Sequence, residues 1–144
     1  MKSFIDEIIE YLDGKFANDD ELTKKPKGHY AYDYGFQPST EPYYEIQALN
    51  EEDTDEEFTR LVTATVDLQI NVYGVKTRFD NKAVTAQEHT YILADKVDTY
   101  LQEYKYTSNK VTSMRKMTKT PPIPFGEGSK SYTSAIRYRC EIKN

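Results

Sequence analysis

A single cysteine, Cys140, permits no internal disulfide and no cysteine-based zinc site, which fits a reducing compartment. Tryptophan is absent, and the two histidines, His29 and His89, have no partner histidine at metal-ligand spacing. No apolar run approaches the roughly 20 residues that a membrane helix needs. The N-terminus turns acidic at Asp6 and Glu7, where a secretory signal would stay apolar. These absences point to a soluble chain made in the cytoplasm and free of membrane contact. Glycine is sparse, and Gly126-Glu127-Gly128 lacks both the following helix and the lysine and serine of a phosphate loop. Cys140 alternates inward on a strand-like segment and reads as a small buried hydrophobe. His89 reads as a first-turn helix residue at the edge of the core. No catalytic residue, metal site or cofactor is expected.

What remains is a polar chain of 144 residues, a length that suits one domain spanning 1–144. Mean hydropathy is −0.80, and 13 tyrosines supply much of the aromatic content, which predicts wet or partner-facing aromatic surface. The net charge of −5 hides a division. Residues 1–104 hold 10 Lys+Arg against 22 Asp+Glu, whereas residues 105–144 hold 9 against 2. The basic residues are interleaved with strand-like sequence, so they read as a packed basic face and not as a disordered tail.

Phe4, Ile5, Ile8, Ile9, Leu12 and Phe16 recur at helical spacing, with Ser3 as an N-cap candidate and Gly14 near the expected end. Residues 17–42 are polar and broken by proline and glycine, forming a long tyrosine-rich loop or arm with a short strand around His29 to Tyr34. Tyr43 to Leu49 alternates as a half-buried strand. Val62, Ala64, Val66, Leu68, Ile70 and Val72 are apolar while every residue between them is polar, which predicts a long strand buried on one side and closed by Gly74. Thr85 and Glu88 form a capping box, opening a helix that buries Ile92, Leu93, Val97, Tyr100, Leu101 and Tyr104 and leaves Asp95 and Lys96 wet. A strand follows over 109–118, then a proline-rich break, then a strand over 132–142 with inward Ile136, Tyr138, Cys140 and Ile142. The expected fold is α+β: an antiparallel sheet of about four strands with two helices packed on one face.

Three features carry functional expectations. Glu51, Glu52, Asp53, Asp55, Glu56 and Glu57 place six acids in seven residues, and without them the net charge would be +1. They lack the alternation and central glycine of a calcium loop. They read as solvated charge or as an electrostatic contact with a basic surface on a neighbouring copy. Arg115, Lys116, Arg137 and Arg139 supply such a surface. No recognition helix accompanies them, since both helices carry acids on their wet sides, so sequence-specific DNA reading is not expected. An acidic loop of one subunit against the basic strand face of the next is a head-to-tail contact that builds a ring if the rotation closes. Tyr30, Tyr32 and Tyr34 alternate along the arm and suit either a partner interface or packing over the flank of the sheet.

The order and texture of these elements resemble the tail terminator family of long-tailed bacteriophages and prophages, also called tail completion or minor capsid proteins. The resemblance spans nearly the whole chain. It rests on the helix Phe4 to Phe16, the strand ending Leu68-Gln69-Ile70-Asn71-Val72-Tyr73-Gly74, the helix containing Leu93-Ala94-Asp95-Lys96-Val97, and Pro121-Pro122-Ile123-Pro124 followed by Tyr132 to Ile142. It implies a non-enzymatic virion protein that forms a ring, commonly a hexamer, on the finished tail tube. Such a ring stops polymerisation of the tube and presents the surface that joins the head. The implied partners are further copies of the chain, the tail-tube protein and a head completion or connector protein. Phage DNA would pass through the lumen unread, and the acidic run would suit that lumen. The implied partner-facing loops hold Tyr30, Tyr32 and Tyr34, and Pro121, Pro122 and Pro124. Two rival readings stand beside it: a head–tail connector or neck protein elsewhere in the virion, and a small intracellular ligand-binding protein or enzyme using His29 and the tyrosines.

Overall fold

A computed structural model describes residues 2–31, 40–49, 63–108, 110–125 and 130–143. The long alternating segment forms β3 (Thr63–Val75), paired antiparallel along its whole length with β8 (Ser131–Lys143). On β3 the inward residues Val66, Leu68, Ile70 and Val72 are buried. On β8 they are Ser134, Ile136, Tyr138, Cys140 and Ile142. β2 (Tyr43–Ala48) joins the other edge of β3 antiparallel, and β1 (Lys27–Tyr30) pairs parallel to β2. β6 (Val111–Lys119) runs along β8, and β7 (Ile123–Phe125) takes over the same edge of β8 further along. Both helices, α1 (Lys2–Ala17) and α2 (Ala86–Thr107), contribute to the one hydrophobic cluster beneath the inward face.

The α+β class and the two helices on one face agree with the sequence, but the sheet differs from the expected one. Among the described residues it has six strands where about four were expected, and it is mixed, because β1 pairs parallel. The cause lies in α1. Asp13 accepts the Gly28 N–H at 3.0 Å and the Tyr44 hydroxyl at 2.7 Å, so one carboxylate from the helix pins β1 beside β2. Gly28 is required there, since a Cβ would enter the Tyr44 ring. The separate hairpin of β4 (Thr77–Phe79) and β5 (Lys82–Val84) turns through Asp80 and Asn81, both left-handed at φ 50° and 64°.

Local boundaries also move. α1 begins at Lys2, so the backbone is already helical at Ser3, and it continues past Gly14. Its last turn is held by Phe16, buried against the rings of Tyr44 and Tyr100. β3 does not close at Gly74. It reaches Val75, with the Gly74 N–H donating to Thr90 Oγ1 of α2 at 3.0 Å. The capping box forms as expected, with the Glu88 N–H donating to Thr85 Oγ1 at 3.1 Å. Lys96 is not on the wet side. The segment after α1 folds over α2 and brings Asp19, itself buried, to 2.7 Å from Lys96 Nζ. Burial alone would raise the Asp19 pKa, but Lys96 and the Tyr100 hydroxyl outweigh it and hold the carboxyl below its ordinary value.

The tyrosines also divide differently. Tyr44 and Tyr138 are wholly buried, with hydroxyls donating to Asp13 and Asp98, and Tyr11 donates to the Tyr100 carbonyl at 2.9 Å. Much of the tyrosine content is thus core whose polar tips reach helix-borne acceptors.

Two glycines give opposite expectations. Gly14 is exposed in a helix interior, and a Cβ there would meet nothing within 4 Å. Gly14→Ala should therefore raise unfolding free energy by about 0.5–1 kcal/mol. A Cβ at Gly74 would overlap the Thr90 backbone. Gly74→Ala should cost about 1–3 kcal/mol, both changes being read by urea titration.

Candidate functional surface

Alternation that buries one face of β3 and β8 turns the intervening residues outward. That outer face carries no helix among the described residues. Arg139 meets Asp67 with two hydrogen bonds, Nε to Oδ1 at 2.9 Å and NH2 to Oδ2 at 3.2 Å. The Arg139 hydrogen bonds hold the Asp67 carboxyl below its usual pKa, against the upward push of its slight burial. Arg137 Nε donates to Gln69 Oε1 at 2.9 Å, Gln69 donates to Asn71 at 3.0 Å, and Asn71 donates to Glu45 at 3.3 Å. Tyr73 closes the chain, its hydroxyl donating to the same Glu45 oxygen at 2.7 Å. Cross-strand register makes this ladder: Asp67 faces Arg139, Gln69 faces Arg137, and Asn71 faces Glu45.

One end of the face is aromatic. Tyr43 and Tyr73, opposite each other in register, stack with centroids 4.3 Å apart. Phe125 lies 4.9 Å from Tyr73, and His29 meets Tyr43 edge-on at 6.2 Å. Burial, reinforced by Glu45, raises the Tyr73 pKa, and burial lowers that of His29. The phenol therefore stays protonated as a donor at neutral pH.

The four basic residues singled out in the sequence do not share one face. Arg115, Arg137 and Arg139 lie on the outer face, with Arg115 opposite Arg139 in register, exposed and in no ion pair among the described residues. Lys116, one residue on, points the other way and meets Asp98 of α2 at 2.9 Å, and Lys119 pairs with Asp95. Strand periodicity of two separates neighbours onto opposite faces. Tyr30 is half-buried against the core. Pro121 and Pro122 line a shallow groove of about 350 Å³ with Tyr91, Lys119, Thr120 and Ser134, and Pro124 sits in edge strand β7 opposite Tyr132. Tyr32, Tyr34 and the acidic residues Glu51, Glu52, Asp53, Asp55, Glu56 and Glu57 lie outside the described residues.

Sequence reasoning did not single out Glu45, Tyr43 or Tyr73. The signal was present, since Tyr73 continues the outward phase of Gln69 and Asn71. Asp19 had no such signal, because nothing in a polar loop shows which acid folds back onto a helix. Cys140 is buried, and burial pushes its thiol up to about 12, which leaves it inert at neutral pH. Among the described residues, no three His, Cys, Asp or Glu side chains are placed to hold a metal ion, and no helix is long and apolar enough to cross a membrane. The arrangement is a hydrogen-bonded surface that exposes Arg115, Arg137 and Arg139 alongside Glu141, suited to contact with a macromolecule. No protein family matches the chain, and no curated protein matches it at a significant level.

Arg139→Ala should leave the fold intact, since exposed ion pairs contribute little. It should raise the Asp67 pKa toward 3.8, read by carboxyl NMR.

Proposed function

We propose that the chain is a structural virion protein without enzymatic activity, a tail terminator subunit. It would form a ring, a hexamer by the family pattern, on the end of a long-tailed phage's tail tube. There it stops polymerisation and presents the head-joining surface. The chain is made in the host cytoplasm and ends in the virion at the head–tail interface. Its partners are further copies of itself, the tail-tube protein and a head completion or connector protein.

The observation that carries this reading is the outer face of the β3–β8 pair, which no helix covers among the described residues. A sheet with both helices on one side leaves a broad polar surface on the other, and here that surface is pre-ordered by its own side-chain ladder. Little side-chain entropy is then lost when a partner docks. The positive charge at Arg115 and Arg137 supports a head-to-tail contact with an acidic surface of a neighbouring copy, which builds a ring where the rotation closes. The acidic run Glu51–Glu57 supplies that opposite charge in the sequence, or lines a lumen where its repulsion keeps DNA from sticking.

Mixing the chain with tail-tube protein tests this. Electron microscopy should show tubes of arrested length with a ring at one end, and sedimentation should show an oligomer that weakens with salt. A chain that stays monomeric and never caps tubes would overturn the reading. Arg115→Glu combined with Arg137→Glu should abolish the oligomer while leaving the circular dichroism spectrum unchanged.

A further inference from the structure

His89 lies in the first turn of α2 and is completely buried. Its Nδ1 accepts the Val75 N–H at 3.1 Å, across the corner where β3 ends and the chain enters the β4–β5 hairpin. Nδ1 is therefore the bare nitrogen and Nε2 carries the proton. Nε2 has no hydrogen-bond partner among the described residues. The neutral ring is thus held by a single bond that depends on Nδ1 staying unprotonated.

A second proton cannot be added without breaking that bond. Protonation puts an N–H on Nδ1, pointing at the N–H of Val75, so two donors face each other. The new cation would also sit at the positive end of α2. Lys24, from the segment between α1 and β1, acts on the ring with like charge. Lys76, next to Val75 in the chain, is exposed. Glu88, the adjacent carboxylate on α2, is exposed and folded back onto Thr85 in the capping box. The acidic side chain nearest in sequence is therefore already engaged.

We propose that His89 is an acid-sensitive latch, whose protonation releases Val75, at the β3–β4 corner, from the first turn of α2. The hairpin beyond the corner is anchored elsewhere chiefly through Phe79, which packs against the core beneath Lys96, and the corner keeps the Gly74–Thr90 bond. Phe79 bridges to Leu22, and the Asp80 N–H donates to the Glu21 carbonyl at 2.9 Å. Release at Val75 therefore loosens the hairpin while the centre of β3 stays paired with β2 and β8. The direction of the pH dependence follows from burial, which holds the ring at about 4, below its ordinary 6.5. The folded value is depressed, so the latch is closed above pH 6.5 and its hold is lost as pH falls toward 4.

Amide hydrogen exchange on the full chain, read by NMR at about pH 7.5 and about pH 5 and corrected for intrinsic rates, tests the latch. Relative to Ile70 at the centre of β3, protection at Val75 and in the hairpin should fall about 30-fold at the lower pH. Unchanged protection at Val75, or a fall in step with Ile70, would overturn the proposal. In His89→Asn, the amide oxygen takes the place of Nδ1 as acceptor and does not titrate. Protection at Val75 should then be independent of pH, and a persisting drop would count against the latch. Should that variant not fold, nitrogen shifts of the wild-type imidazole decide. A neutral, Nε2-protonated ring at about pH 6 is expected; a charged ring with Val75 still protected would overturn the proposal.

Discussion

The antiparallel pairing of β3 with β8, 13 residues on each strand, fixes the position of everything else. Its side chains alternate without interruption through the centre, so a one-residue slip would exchange the apolar and polar faces of both strands at once. The register is therefore set by burial, and once it is set, each outward residue has a fixed neighbour. Asp67 meets Arg139 and Gln69 meets Arg137 because Val66 and Leu68 are buried opposite Cys140 and Tyr138. The core and the outer surface are two consequences of one pattern.

Both helices answer to this pair. α2 lies over its inward face, tied by Thr90 to Gly74 and by Asp98 to the Tyr138 hydroxyl at 2.9 Å. α1 lies beside it over β2 and sends Asp13 down to Tyr44 and Gly28. In each case a carboxylate on a helix meets a tyrosine hydroxyl from the sheet. Such a bond satisfies a polar group that the apolar contact would otherwise leave buried and unpaired, and it fixes the helix along its axis. A chain short of purely apolar residues builds its core this way.

The legible parts of the fold were those written in short-range pattern. The alternation of β3 and β8, the spacing of Ile92, Leu93, Val97 and Leu101, and the Thr85–Glu88 capping box each occupy one continuous stretch. Parallel pairing of β1 was not legible, because it depends on Asp13 reaching Gly28 from another element. The β4–β5 hairpin escaped notice for a local reason: its turn is Asp80-Asn81, with no glycine to mark the left-handed positions. Lys96 was misplaced because helical spacing gives direction but not what folds over it. On the outer face, charge could be counted but not apportioned, and only the register shows Lys116 turned toward α2 and Arg115 left outward and unpaired with acid among the described residues.

Assembly through the outer sheet face is the central claim, and site-directed labelling tests it most directly. Thr65 is exposed on that face, while the native Cys140 is buried and inert, so a cysteine at position 65 gives a single reactive reporter. Thr65→Cys should react freely with a maleimide in the isolated chain and become protected when the chain assembles on tail tubes. Full reactivity in the assembled state would contradict assembly through this face.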